Sequence, residues 1–566
     1  MAHAMNRREA LALGLASAAS MTLSGRRAAG ETAPSGAGAD IVRAHDDALE
    51  RRLGAQVLDP QSKWRGAFPD EWGLHHCTAV SAFLKNAAAA YYHPQSKHHR
   101  DRALLDRMTL AAEFLTRIQN AEGNIDLLST NFNSPPDTGF VVHSVATAAK
   151  LARMNGDEAV LSLMRDFLLR AGRGLSKGGV HTPNHRWVVC EALAQINDLF
   201  PDKQYTNRID QWLAEGIDID EEGQYTERST TVYNPVVNTA LVVMAEKLGR
   251  PELLEPVRKN LDAMAYLLHP NGEVVTEISR RQDLNTRGTM GGYWFALRWL
   301  AIRDRNGLYA AMLKPLEPGH VELPRLMEYP ALSGELPADT PVPDDYEREY
   351  ALHGITRIRR GKTSATLIHR GSSRWVSLQR GGAVVNAVRF ASAFFGKGQF
   401  IPAEFEKRDG VYLFRQELTG RYMQPVTDPA LRPVTPETWP KTMMKRRLSE
   451  VCRLVYEARL REISGGFEIS ISARGTDNVP LAVEINLREG GEITGVDPAP
   501  GIAGAFLLGE GSAAYRMGDD VIRFGPGHCE HAYVQVRGAE GKMSGPSVYL
   551  TGFTPFEHTF VFAFEG

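Results

Sequence analysis

Thr182-Pro183-Asn184-His185-Arg186-Trp187 is followed by apolar residues at Val189, Leu193, Ile196 and Phe200, the spacing of one helix face. Threonine caps helix starts and proline suits the first helical position, so Asn184 and His185 fall in the first turn. Downstream, Gly223-Gln224-Tyr225-Thr226-Glu227-Arg228-Ser229 leads to Tyr233-Asn234-Pro235, a second start signal that leaves Tyr233 just outside the next helix. Ser134-Pro135-Pro136-Asp137 is a third, with Asn131 and Asn133 immediately before it. If inner helices of this kind alternate with outer ones, all three starts open on one rim. Free N–H groups there favour a carboxylate and keep a histidine neutral.

Outward from this stretch the pattern stays helical, over 39–314. Leu104, Met108, Ala111, Leu115 and Ile118 share one face, and further helical runs are placed near 70–91, 137–155, 157–173, 203–215, 235–248, 251–267 and 290–304. No strand is expected among them, and short Gly, Pro or Asn breaks imply helical hairpins in a bundle or ring. Residues 315–345, with Pro318, Pro324, Pro330, Pro337, Pro341 and Pro343, read as an interdomain linker. Over 346–566 the period becomes two. Phe467, Ile469, Ile471 and Ala473 alternate with polar residues, as do Leu481, Val483, Ile485 and Leu487 with Ala482, Glu484 and Asn486, and Thr559–Phe564 reads as a last buried strand. The fold class expected is therefore multidomain α+β, a helical domain followed by an antiparallel β-sandwich.

A chain of 566 residues with a formal charge of −2 has no excess of cations for nucleic acid. Asn6-Arg7-Arg8-Glu9, the apolar run Ala10–Leu23 and the small residues Ala28-Ala29-Gly30 have the layout of an export signal over 1–30, with the paired arginines of the twin-arginine route. The location expected is periplasmic or secreted, with no membrane span after the signal. Cys77, Cys190, Cys452 and Cys529 lie too far apart for a disulfide framework and are expected as free thiols. His528-Cys529-Glu530-His531 contains ligand types, yet on a strand His528 shares a face with Glu530 and Cys529 with His531, so no metal ligands are assigned.

Amide, imidazole, guanidinium and phenol together suit removal of a proton beside a carboxylate. The C5 proton of a uronide is weakly acidic until its carboxylate is neutralised, a duty that fits Asn184 and Arg228. A base must then take the proton and an acid must protonate the C4 leaving oxygen. His185 and Tyr233 fit those two roles, and Tyr233 alone serves both if proton and leaving group share a face.

The order Asn184-His185, Arg228, Tyr233 on a helical domain followed by a β-domain resembles the toroid-plus-sheet polysaccharide lyases, including heparinase II/III-like, alginate, chondroitin and hyaluronate lyases. Gly223–Ser229 with Tyr233 is similar to the G-x-x-x-E-R-S…Y stretch of the heparinase-like enzymes, with one extra residue that leaves Tyr225 as a rival acid. Asn184-His185 with Trp187 resembles the N-H-x-x-W element of alginate lyases, one residue shorter. The resemblance implies an α/α toroid of helical hairpins, an anionic polysaccharide or oligosaccharide as partner and no required cofactor. It also implies a structural divalent metal in some relatives, whose ligands do not map here. It further points to a β-domain histidine reaching the cleft, for which His369 is the candidate.

Each residue also has a plainer reading. Asn184 suits a helix start, His185 a satisfied surface imidazole, Tyr233 core packing, and Arg228 an ion pair with Glu227. Asn133 and His143 flank the rim, His143 as a structural residue; Arg281, in Arg280-Arg281-Gln282-Asp283, either grips carboxylates or is solvated. Trp187, Trp294 and Trp375 are sugar platforms or core. Two other functions compete. A glycoside hydrolase would draw on Asp218, Asp220, Glu221 and Glu227, and a non-catalytic envelope glycan-binding protein would not need His185 and Tyr233 together.

Overall fold

The computed structural model describes residues 37–317 and 319–565, so the segment expected to be an export signal lies outside the described residues. The chain divides into two compact units. One holds the described residues up to Leu268 with Gly272–Pro343, the other His269–Asn271 with the chain from Asp344 onward.

The first unit is an α/α toroid. After α1 (Ala37–Leu53), helices come in pairs: α2 (Cys77–Tyr92) with α3 (Arg102–Ile118), α4 (Pro135–Met154) with α5 (Glu158–Leu175), and α6 (Pro183–Leu199) with α7 (Lys203–Leu213). The series ends with α8 (Tyr233–Leu248) and α9 (Leu254–Met264), then α10 (Trp294–Arg303) and α11 (Gly307–Leu313). Helices α2, α4, α6, α8 and α10 each pack on the next in that order, while the odd-numbered partners pack outside them. Composition explains the division. Helix α6 is buried nearly all round, from Asn184 to Leu199, whereas α7 fully buries only Tyr205 and Ile209, its other residues being half-buried or exposed. Ala87 to Ala90 of α2 are all buried and let neighbouring backbones come close.

Three expectations need correction. Residues 315–343 are not a linker: α12 (Leu323–Glu328) packs on α1, α2 and α4, and Leu323, Arg325, Glu328 and Leu332 are buried. Proline here starts short helical turns, at Pro315, Pro324 and Pro330, rather than denying them. The helical region also contains a hairpin, Ile125–Leu127 paired with Asn131–Ser134. Tyr233 is the first residue of α8 rather than outside it.

The second unit packs an eight-stranded sheet on a ten-stranded one, antiparallel throughout except where Ala505–Leu507 runs parallel to Ser547–Phe553. Phe390, Phe400, Phe414, Tyr456, Ile469, Ile485, Leu550 and Phe562 fill the space between them. Phe467, Ile469, Ile471 and Ala473 point into this core as their alternation requires. Strand Pro480–Leu487 departs from half-burial, because Ala482, Glu484 and Asn486 are buried as well; Glu484 pairs with the buried Arg389 on the sheet's other face.

Candidate active site

The connections that enter the inner helices meet at one place. Residues 130–136, at the entry and first turn of α4, and 179–181, ahead of α6, line a shared depression of about 370 Å³. Ser134 caps α4 by accepting from Asp137 N, and Thr182 precedes α6, its hydroxyl donating to Asn184 Oδ1 at 2.8 Å. Asn184 N donates to Glu227 Oε1 at 3.3 Å, which ties the start of α6 to the connection that enters α8.

That connection is held by Asp283. Its carboxylate accepts from Ser229 Oγ (3.0 Å), Ser279 Oγ (3.0 Å) and both the N–H and the hydroxyl of Thr231 (3.1 Å each). Ser229 Oγ in turn accepts from Tyr233 N at 3.1 Å and so sets the first turn of α8. Arg228 is buried with a left-handed φ of 44°, and its carbonyl accepts from Arg280 N at 2.8 Å. Gly223 must be glycine: at φ 82° a Cβ would lie 2.6 Å from that of Ala263.

Asn184, His185, Glu227, Tyr233, Arg281 and Gln282 form a connected group on this frame. The Arg281 guanidinium lies over the Tyr233 ring at 4.9 Å, its Nη1 is 3.7 Å from Glu227 Oε2, and Gln282 Nε2 donates to Tyr233 Oη at 3.2 Å. The His185 ring meets His181 edge-on at 4.7 Å and Phe140 at 6.1 Å. Asn184 Nδ2, His185 Nδ1 and Glu227 Oε2 are buried and take part in no hydrogen bond. Burial, then the neighbouring His181 and Arg281, lower the His185 pKa to about 3, so its imidazole is neutral at ordinary pH. Burial raises the Glu227 carboxyl above its usual range, against the pull of Arg281. The group gathers an amide, a neutral imidazole, a phenol and a guanidinium, residue types that suit binding a carboxylate and moving a proton beside it.

Two of the expected substrate contacts are internal instead. Trp187 is 0 % exposed, with Nε1 donating to Asp218 Oδ1 at 2.9 Å and Arg186 stacked on its ring. Tyr225 is buried and donates to Asn238 Oδ1 at 2.8 Å, within a chain that runs through Asn260 to the Gly223 carbonyl. Burial drives its pKa well above the ordinary phenol value, and its hydroxyl proton is directed inward to Asn238. Trp294 and Trp375 are likewise core residues. Asn133 is exposed at the depression, with φ 49° and Oδ1 accepting from Asn120 and Asn124 at 2.7 and 2.9 Å. His369, in the second unit, stacks on Phe405 at 3.6 Å and shares a 2.8 Å hydrogen bond with Thr356. Burial, then Arg370, lowers its pKa to about 4.

Sequence reasoning named Gln282 and Asp283 only as neighbours of Arg281, without a role of their own, and passed over His181 and Phe132. Phe132, 67 % exposed on the rim of the depression, had one legible signal: an aromatic between two asparagines just ahead of a helix start. Of the carboxylates suited to hydrolysis, Asp218 is engaged by Arg186 and Trp187, Asp220 accepts from Glu222 N and Gln224 N within a turn, and Glu221 is exposed on that turn, leaving Glu227 alone in the group. Among the described residues no set of three or more His, Cys, Asp or Glu is arranged to hold a metal ion, and His528 instead pairs with Glu530 at 2.7 Å.

No family model matches the sequence, and no curated protein is detectably similar to it. Solved structures do match. The chondroitin AC lyase of Streptomyces coelicolor A3, in complex with chondroitin sulphate, superposes with a TM-score of 0.56 at 13% identity, over 98% of this chain and 82% of that one. A xanthan lyase of Paenibacillus superposes with a TM-score of 0.57 at 11% identity, over 98% of this chain and 59% of that one. At such identities the likeness is one of fold, and the chain has the α/α toroid and antiparallel sheets found in these polysaccharide lyases.

Proposed function

We propose that the protein is a polysaccharide lyase that cleaves a uronate-containing glycan by β-elimination. The observation that carries this reading is the pair of buried, unpartnered donors and acceptors on adjacent residues, Asn184 Nδ2 and His185 Nδ1, grouped with the Tyr233 phenol under Arg281. An orphaned amide nitrogen awaits an acceptor such as a sugar carboxylate, because leaving it unpaired costs about 1–3 kcal/mol. Asn184 then withdraws charge from the uronate carboxylate and acidifies C5–H. His185 and Tyr233 supply the base and the acid, and Tyr233 performs both steps where proton and leaving oxygen lie on one face. Arg228 orders the connection that carries Tyr233. The sequence order of these residues supports kinship with the heparinase II/III-like group in particular, and the residues at 6–30 support export.

The test is incubation of purified protein with alginate, polygalacturonate, hyaluronate, chondroitin and xanthan, with absorbance followed at ~235 nm, where an unsaturated uronate absorbs, for wild type and Tyr233→Phe in parallel. Rising absorbance lost in the variant supports β-elimination through Tyr233; new reducing ends without absorbance would refute it. Fractionation of the producing cells tests export, and retention of the full-length chain in the cytoplasm would count against it.

A further inference from the structure

Strands Val411–Met423 and Leu448–Ile463 of the second unit pair from Val411↔Arg461 to Met423↔Leu448. Their neighbours stop short. Glu404–Arg408 pairs only with 411–415, and Gly466–Gly475 only with 454–463. The far end, 419–423 against 448–453, thus runs on as a ribbon of two strands and carries residues 424–447, with the short helix Trp439–Met443, at its tip. Such a ribbon is marginal in water by itself. Phe395 braces it where Gly420 leaves no room for a Cβ, and Arg446 Nη1 ties the tip back to the Gln424 carbonyl at 3.3 Å.

The arm's composition differs from that of the chain. Residues 421–453 hold seven Lys or Arg against three Asp or Glu, in a protein whose formal charge is −2. Arg421, Lys441, Lys445 and Arg447 are exposed. Among the described residues none of them forms an ion pair, whereas Arg453 reaches Glu417 at 3.9 Å. Aromatic rings stand among the cations. Trp439 is 46 % exposed with the Arg446 guanidinium 4.4 Å from its ring centroid, and Tyr422 is 58 % exposed.

We propose that this arm is a second, non-catalytic binding surface for a carboxylate-bearing polysaccharide. The choice of a uronate polymer rests on the lyase reading; the charge and shape of the arm do not. Lysine and arginine pair with successive carboxylates while staying partly hydrated, and an open tryptophan face covers the apolar face of a sugar ring. Exposed Met443 and Met444 offer apolar surface to a second copy of the chain, but a twofold contact there would set two sets of unpaired cations against each other. Holding a polymer at the arm raises the local concentration of further cleavable linkages around the enzyme.

The experiment is native affinity electrophoresis of the full chain in the Tyr233→Phe background, which keeps the polymer intact, through gels containing alginate, polygalacturonate, hyaluronate, xanthan or uncharged hydroxyethylcellulose. Retardation by at least one carboxylated polymer and none by hydroxyethylcellulose is expected. Lys441→Glu/Lys445→Glu/Arg447→Glu should weaken it roughly tenfold or more, and Trp439→Ala roughly threefold to tenfold, both with unchanged melting temperature. Retardation that these variants leave intact, no retardation by any polymer, or a dimer that the variants dissociate would each overturn the proposal. Unsaturated product with no arm-dependent retardation sinks the arm alone; arm-dependent retardation with no product from wild type sinks the lyase reading alone.

Discussion

Arg281 lies across the face of Tyr233, 4.9 Å from the ring centroid, and its Nη1 points 3.7 Å from Glu227 Oε2. One cation thus touches both the phenol and the only carboxylate of the group. If the phenol moves protons, Tyr233→Phe should lower kcat by roughly 10²–10⁴ with little change in folding, since its hydroxyl accepts a single part-buried hydrogen bond from Gln282. Glu227→Gln should cost far less. The reverse ranking, measured as initial rates on the best polymer, would point to hydrolysis.

The imidazole of His185 gives a pH signature. Its pKa falls from 6.5 to about 3 on folding, so between those values the unfolded chain binds a proton that the folded chain refuses. This contribution is complete above pH 6.5 and is lost as pH falls toward 3, with a slope of at most about 1.4 kcal/mol per pH unit. Glu227, whose pKa is raised, acts in the opposite direction, so the comparison must be with His185→Asn rather than with a calculated curve. Denaturant melts of both proteins from pH 4 to 7 should show a shallower acid decline in the variant.

Trp187 is predicted to matter for stability and not for sugar contact. Trp187→Phe keeps most of the apolar bulk but removes one of the two donors to Asp218 Oδ1, leaving Arg186, and about 1–2 kcal/mol of stability should be lost while turnover per folded molecule is retained. A raised KM with unchanged melting would contradict this assignment.

Arg325 tests the placement of the proline-rich segment. It lies 3.8 Å from Glu191 and 3.9 Å from Glu328, both 1 % exposed as side chains, inside the helical unit. Arg325→Ala leaves buried carboxylates short of a cation, and a loss of about 3–5 kcal/mol follows. A true linker residue would tolerate the change, and thermal melting distinguishes the two.

Much of the fold was legible because its signals are local. The start signals at Ser134-Pro135, Thr182-Pro183 and Asn234-Pro235 depend on capping and on proline geometry, and period two over 467–473 depends on strand pleat. These operate within a few residues, so the sequence by itself determined helices followed by strands, and it placed Asn184 and His185 at a helix start. Tertiary structure decided what long-range burial governs. Trp187 and Tyr225 carry the same chemistry as exposed sugar contacts, yet neighbours distant in sequence, Asp218 and Asn238, absorb their polar groups. Prolines at 324 and 330 start turns because α12 has a surface of α2 and α4 to pack on, which no local pattern reveals. Likewise Arg281 meets Tyr233 only because Asp283, far along the chain, fixes the connection that enters α8, and such a meeting is set by packing rather than by spacing.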